Sequence, residues 1–218
     1  MSKKFNVGLI RVLTSDDPKF VNMHGQFIMD HFPGLHVESK CIPDQWEGIH
    51  SPELCRQAVP KIVQLAKDSF SDKDMIIVSC ADDPGVDAIR SELPNIPVTG
   101  GGETTCALAY RYSEHVGILG ITDYPPAAYT RMLGDRLVIN KRPQGIHSTL
   151  DLMTLEGHDA TLMAAREIKA AGAGVIALGC TGLTTIGITS EIEKEVGIPV
   201  IDPVLAEGLF AFYESIRK

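Results

Sequence analysis

No stretch of this 218-residue chain approaches the roughly 18 consecutive apolar residues of a membrane-spanning helix. No block of basic residues occurs either. Lys+Arg total 20 against 28 Asp+Glu, a formal net charge of -8, so the chain lacks the electrostatic footprint of a nucleic-acid or anionic-membrane binder. Cysteine is sparse and odd in number, at positions 41, 55, 80, 106 and 180. There is no C-x-x-C and no Cys/His cluster of metal-ligand spacing, which argues against a disulfide framework and a zinc site. No Walker motif appears, and Gly100-Gly101-Gly102-Glu103-Thr104 lacks the G-x-G-x-x-G spacing of a dinucleotide fingerprint. The opening MSKKFNVGLIRV imitates a signal peptide, but its apolar run ends at Arg11 without a small-residue cleavage site. It reads as a first strand, and the expected location is the cytoplasm.

What is present suits a packed protein. Hydrophobic residues make up 44% and charged residues 22%, enough for one large domain or two small ones sharing an interface. Phe5 to Val12 reads as a buried strand. Asp16 or Asp17 before Pro18 starts a helix to about Asp30, ahead of the Phe32-Pro33-Gly34 break. Leu35 to Ile42 is a second strand. Ser51-Pro52-Glu53 opens a helix to about Ser69, with Pro60 expected to kink or split it. Met75 to Ser79 is a third strand, Pro84 to Leu93 a helix and Ile96 to Val98 a fourth strand. The run Gly100-Gly101-Gly102 marks a crossing point or close backbone approach, and a helix follows over Glu103 to Arg111. The pattern then restarts. Strands fall at His115–Ile121, Leu137–Asn140, Val175–Leu178 and Ile198–Ile201. Helices fall at Glu156–Ala171, Thr185–Val196 and Pro203–Ile216. Strands alternating with helices specify an α/β fold with mostly parallel sheets covered on both faces.

The two halves echo each other. Val7-Gly8-Leu9-Ile10 resembles Val116-Gly117-Ile118-Leu119, and Met75 to Cys80 matches Val175 to Cys180. Ile96-Pro97-Val98 matches Ile198-Pro199-Val200 in the same order. We read this as an internal duplication, with equivalent sites at the strand ends facing a shared cleft.

Cys80 and Cys180 hold matching places, each just past a short apolar strand. Ligand sites in open α/β sheets lie beyond the carboxyl ends of the strands, and a following helix N-terminus favours a thiolate. Inverting a carbon centre requires a proton to leave one face and another to arrive at the opposite face. Two mirrored thiols, one as base and one as acid, meet that need. The competing reading is a pair of buried core cysteines, which matched positions in a duplicated unit make less attractive. Cys41, Cys55 and Cys106 are read as packing residues. His24 and His31 are read as surface or interface positions, and no histidine is pinned near either thiol.

Across essentially the whole chain the sequence resembles the aspartate/glutamate/hydantoin racemase superfamily. The resemblance rests on Cys80 in SCADDPG, Cys180 in GVIALGCTG and the stretch Val98 to Glu103. Asp83-Pro84-Gly85 and Gly179-Cys180-Thr181-Gly182 are most similar to hydantoin and allantoin racemases. The amino-acid racemases carry Cys-Asn-Thr at the first site and a histidine or glutamate after Cys-Thr at the second, where this chain has Ala81, Asp82 and Gly182. The resemblance implies two pseudo-symmetric flavodoxin-like halves, each with a four-stranded sheet. Residues 1–100 plus about 203–218 would form the first half and 101–202 the second, with the active site between them. It implies a small-molecule substrate, no metal, no pyridoxal phosphate or other cofactor, and a homodimer or higher even homo-oligomer. It places Cys80 and Cys180 as the acid/base pair. The backbone amides of Ala81, Asp82, Thr181 and Gly182 would bind the oxygens of an enolate-like intermediate. A hydroxyl of Thr104 or Thr181 would add a hydrogen bond, Thr104 being alternatively an ordinary helix residue.

One departure bears on substrate. The hydantoin group carries asparagine-proline-asparagine at the end of the first strand, where this chain has Arg11-Val12-Leu13-Thr14. Arg11 has two readings: a partner for a substrate carboxylate, or an ion pair with Asp82 or Asp83. The expected reaction is racemisation of a 5-substituted hydantoin or related cyclic ureide. The alternatives are an aspartate/glutamate-type amino-acid racemase, a related cis-trans isomerase or decarboxylase, and a non-enzymatic binding protein. The 141–158 connection reads as either a lid or a plain loop.

Overall fold

The computed structural model describes residues 4–217, so Lys3 of the basic start lies outside the described residues. Two four-stranded sheets form, all of whose pairings are parallel. The first orders its strands β2(Leu35–Cys41)-β1(Phe5–Arg11)-β3(Met75–Ser79)-β4(Val98–Gly100). The second orders them β6(Leu137–Lys141)-β5(Val116–Leu119)-β7(Val175–Leu178)-β8(Val200–Ile201). The order is the same in both, and each pair of matched segments in the sequence falls on equivalent strands. The central strands are buried on both faces, which is why they read as unbroken apolar runs.

Helices cover both sheets. Helix α1 (Pro18–His31) is capped by Asp17, whose carboxylate accepts from the Lys19 amide, and α2 (Pro52–Phe70) is capped by Ser51. Helix α2 runs continuously through Pro60 rather than splitting there. Helix α3 is shorter than expected, Val86–Glu92, because Asp83 and Gly85 both take positive φ and hold the preceding residues in a turn. Helix α4 (Gly101–Tyr112) starts within the glycine run. Helix α5 (Ala127–Leu133) was not foreseen; it follows Pro125-Pro126 and ends at Gly134. Helix α6 spans Leu155–Ala170. The helix expected over Thr185–Val196 is instead α7 (Gly182–Thr185) and α8 (Thr189–Val196), separated where Gly187 takes φ +68°. Helix α9 (Pro203–Arg217) crosses back onto the first sheet, touching α1, β2, β3 and β4 as well as α4. Among the described residues no helix is long and apolar enough to cross a membrane.

The glycine run has a steric cause. A Cβ on Gly102 would lie 2.3 Å from the Ala81 carbonyl oxygen, and one on Gly100 would lie 2.2 Å from the Asp83 carboxylate. A Cβ on Gly101 would meet Glu207 at 2.7 Å. The loop after Cys80 is therefore seated directly on the start of α4. Asp83 closes the contact by accepting from the Gly102 and Glu103 amides, both at 2.7 Å, as a helix cap supplied from elsewhere in the chain. The second half has a counterpart. Asp202 caps α9 through the Val204 and Leu205 amides and accepts from the hydroxyls of Thr184 and Thr189, which tethers the segment after Cys180.

Candidate active site

The carboxyl ends of the central strands of both sheets open on one cavity. Its lining includes Ser79, Cys80, Ala81 and Asp82 from the end of β3, and Gly179, Cys180 and Thr181 from the end of β7. Arg11, Val12 and Leu13 enter from the end of β1, and Ile121, Thr122, Tyr124 and Pro126 from the segment after β5. Gly48 to Ser51 and Thr149 complete the rim. The duplication thus brings Cys80 and Cys180 to a single space. Cys80 is 9% and Cys180 8% exposed, so both residues are buried against the cavity wall.

Helix N-termini do not lower the two thiols as expected. Burial pushes Cys180 from its ordinary value of 9.0 up to about 11, against the opposing pull of the Gly182 and Leu183 amides. The Gly182 amide donates to Cys180 Sγ at 3.3 Å. Cys80 is driven well above the ordinary thiol value, first by burial and then by the Asp82 charge. The charges of Cys180 and Asp83 push it further the same way, and the Asp82 amide opposes. The physical reason lies in the local geometry. Helix α3 starts only at Val86, and α7 is a single turn, so neither offers enough aligned amides to offset desolvation. The charge of Cys180 is among the causes that raise Cys80, so the two thiols are electrostatically linked across the cavity.

Arg11 pairs with neither Asp82 nor Asp83. Its Nη1 donates to the Phe20 carbonyl at 2.7 Å and the guanidinium stacks 4.9 Å from the Phe20 ring centre. Asp82 instead accepts from the Ala127 amide at 2.8 Å, and Asp83 is committed to α4. Arg11 is 3% exposed and burial lowers its pKa to about 10, so its charge is maintained in a poorly solvated place beside the cavity. Thr104 does not reach the cavity. It is fully buried in α4, where its hydroxyl donates to the Gly100 and Gly101 carbonyls. Gly182 lies behind Cys180, in a small recess shared with Arg11, Leu13, Phe20 and Thr149. Its amide faces the sulfur rather than the main cavity. Ala81, Asp82 and Thr181 do line that cavity.

Several residues escaped the sequence reading. Tyr129 on α5 is buried, and its hydroxyl donates to the Leu178 carbonyl at 2.6 Å, fixing the end of β7 just before Cys180. His50, Thr122, Tyr124 and Thr149 line the cavity from loops that carry no motif. His24 is 1% exposed rather than a surface residue, held by Ser79 and Thr185. Glu207 is fully buried in α9. Its signal was present: positions 204, 207, 208 and 211 form one buried stripe, and a carboxylate on such a stripe needs a partner. Among the described residues, no group of three or more His, Cys, Asp or Glu side chains is arranged to hold a metal ion.

Comparison with known proteins shows the family of the chain. The family model for Asp/Glu/hydantoin racemases matches residues 21–207, and the chain belongs to that family. It is 30% identical to a hydantoin racemase of Paenarthrobacter aurescens over 156 residues, 66% of this chain and 65% of that protein. It is 26% identical to a hydantoin racemase of Pseudomonas sp. (strain NS671) over 192 residues, 80% of this chain and 71% of that protein. The chain therefore spans slightly less than two thirds of the Paenarthrobacter relative. The fold superposes on the crystal structure of an allantoin racemase from Pseudomonas fluorescens with a TM-score of 0.78 at 20% identity, covering 95% of this chain and 89% of that one. At that identity the likeness concerns the architecture of two pseudo-symmetric α/β halves.

Proposed function

We propose that this protein is a cofactor-independent racemase that inverts a carbon centre by proton transfer between Cys80 and Cys180. The proposed substrate is a 5-substituted hydantoin or related cyclic ureide. The observation that carries the proposal is the meeting of two buried thiols, from equivalent strand ends, at one cavity. One thiolate removes the proton at the stereocentre and becomes a thiol. The other thiol delivers its proton to the opposite face and becomes a thiolate, so charge and protons balance over the turnover. Backbone amides at Ala81 and Thr181 are the candidate donors to the enolate oxygen, those of Asp82 and Gly182 being turned to the Cys80 and Cys180 sulfurs.

The proton at the stereocentre of a cyclic ureide is more acidic than that of an amino acid, so the cavity need supply less stabilisation of the carbanion. Hydantoin racemases among the relatives support the same class. In this reading residues 1–100 with 203–218 form one wall of the site and 101–202 the other, and the assembly is an even homo-oligomer. The test is a panel of D- and L-hydantoins, allantoin, aspartate and glutamate in deuterated water, read by chiral separation and solvent exchange. Racemisation of a hydantoin or allantoin but of neither amino acid is expected. Racemisation of an amino acid alone would overturn the substrate class, and no exchange with any compound would overturn the reaction.

A further inference from the structure

At the wall of the cavity a string of polar side chains, buried except for the half-buried Thr185, joins the two halves. Ser79 Oγ lies 2.9 Å from Glu207 Oε2 and 2.9 Å from His24 Nδ1. His24 Nε2 lies 3.0 Å from Thr185 Oγ1, which in turn lies 3.4 Å from the Thr181 carbonyl oxygen. One part of the string is the residue before Cys80, and its far end is the residue after Cys180. Four separate elements supply it: α9, β3, α1 and α7.

Its hydrogens can be counted. Burial and the nearby Arg11 charge hold His24 well below the ordinary imidazole value, so the ring is neutral with one N–H. Burial pushes Glu207 well above its ordinary value, against the Ser79 hydrogen bond and the Arg11 charge, which favours the protonated acid. Ser79 Oγ–H donates to Glu207 Oε2, so His24 Nδ1–H donates to Ser79 Oγ and His24 Nε2 accepts from the Thr185 hydroxyl. The second oxygen of Glu207, Oε1, is buried without a hydrogen-bond partner among the described residues. That costs less in a neutral acid than in a carboxylate. Ser79 and His24 each have both a donor role and an acceptor role filled, which gives such a chain a defined geometry.

We propose that His24 and Glu207 are positioning residues, which act through Ser79 and Thr185 to hold the Cys80 and Cys180 loops in one fixed register across the cavity. The proposal rests on the two-thiol reading and adds to it a requirement. Exchange of the substrate proton on one face needs one thiol in place, whereas inversion needs both thiols within reach of the same carbon. A loosened register therefore suppresses inversion more than exchange, which general loss of folded protein does not do.

The experiment compares deuterium exchange with inversion, by mass spectrometry and chiral separation, for the hydantoin or allantoin that the wild-type protein racemises. Thr185→Val removes the hydroxyl at nearly constant shape, and Glu207→Leu removes the acceptor for the Ser79 hydroxyl. Glu207→Gln keeps a neutral acceptor there. Inversion is expected to fall about tenfold or more relative to exchange in Thr185→Val and Glu207→Leu, within the range that a displacement below 1 Å imposes on a positioned reaction. Glu207→Gln is expected to keep the wild-type partition. Equal loss of exchange and inversion in Thr185→Val would overturn the proposal, and that variant decides the matter if Glu207→Leu fails to fold. Impairment of Glu207→Gln to the level of Glu207→Leu would overturn the neutral-acceptor role of Glu207. A wild-type protein that inverts no compound of the panel defeats the two-thiol reading itself, a different outcome from an unchanged partition in the variants.

Discussion

Cys180 offers the most direct check on the electrostatics of the site. Burial raises its pKa from 9.0 to about 11 in the free protein. At pH 8 a thiol of pKa 9.0 is ionised to about one part in ten, whereas one of pKa about 11 is ionised to about one part in a thousand. Alkylation proceeds through the thiolate, so its rate at pH 8 is expected to be about 10²-fold lower than that of an unperturbed cysteine of equal access. The assay is iodoacetamide labelling of Cys80→Ser protein from pH 7 to 11.5, with the modified peptide containing Cys180 quantified by mass spectrometry. Denatured protein provides the unperturbed reference within the same sequence. The labelling rate should climb about tenfold per pH unit across most of that range and level off only near its top. A midpoint at or below 8.5 would show that the Gly182 and Leu183 amides overcome burial, and the reasoning about desolvation would fail.

Three further outcomes follow from the same structure. Gly102→Ala places a Cβ 2.3 Å from the Ala81 carbonyl, so the loop after Cys80 must move; we expect a stability loss of about 1–3 kcal/mol by urea denaturation and reduced turnover. Wild-type stability and turnover in that variant would contradict the seating of this loop on α4. Asp202→Ala removes the cap of α9 and the acceptor for two threonine hydroxyls, and should cost about 2–4 kcal/mol in the same assay; a change below about 0.5 kcal/mol would refute the tether. Glu207 binds its proton more tightly folded than unfolded, so its contribution to stability is full below its ordinary value of 4.5 and declines as pH rises above it. Glu207→Gln lacks that decline and should gain stability relative to wild type between pH 4.5 and 8, whereas a constant difference would mean that Glu207 is ionised in the folded protein.

The legible parts of this protein are those dictated by local pattern. Fully buried parallel strands appear as unbroken apolar runs, so β3 and β7 are legible to the residue, and their repetition carries the duplicated topology in the sequence itself. Caps at Asp17 and Ser51 were visible because serine or aspartate directly precedes proline and a helical stretch. The meeting of Cys80 and Cys180 was readable because equivalent strand ends in a duplicated fold face a common space. What was not legible depends on contacts between distant segments. Nothing adjacent to Arg11 announces the Phe20 carbonyl, and the charges of Asp82 and Asp83 suggested a nearer partner. Thr104 looked available because it follows the glycines, yet those glycines are what bury the start of α4 beneath the Cys80 loop. The thiol pKa shifts went the other way because desolvation depends on the whole surrounding shell, while a helix N-terminus is a local feature. His24 is bonded to Ser79 and Thr185, which lie in different halves, so no local window contains its environment.

The central claim is that Cys80 and Cys180 work from opposite faces of one carbon. The measurement that tests it most directly is solvent deuterium exchange of each separate enantiomer by Cys80→Ser and by Cys180→Ser, with circular dichroism to show that both variants are folded. The account predicts that neither variant inverts either enantiomer, and that any residual exchange is confined to one enantiomer in Cys80→Ser and to the other in Cys180→Ser. Inversion at the wild-type rate by either folded variant, or residual exchange of the same enantiomer by both, would contradict it.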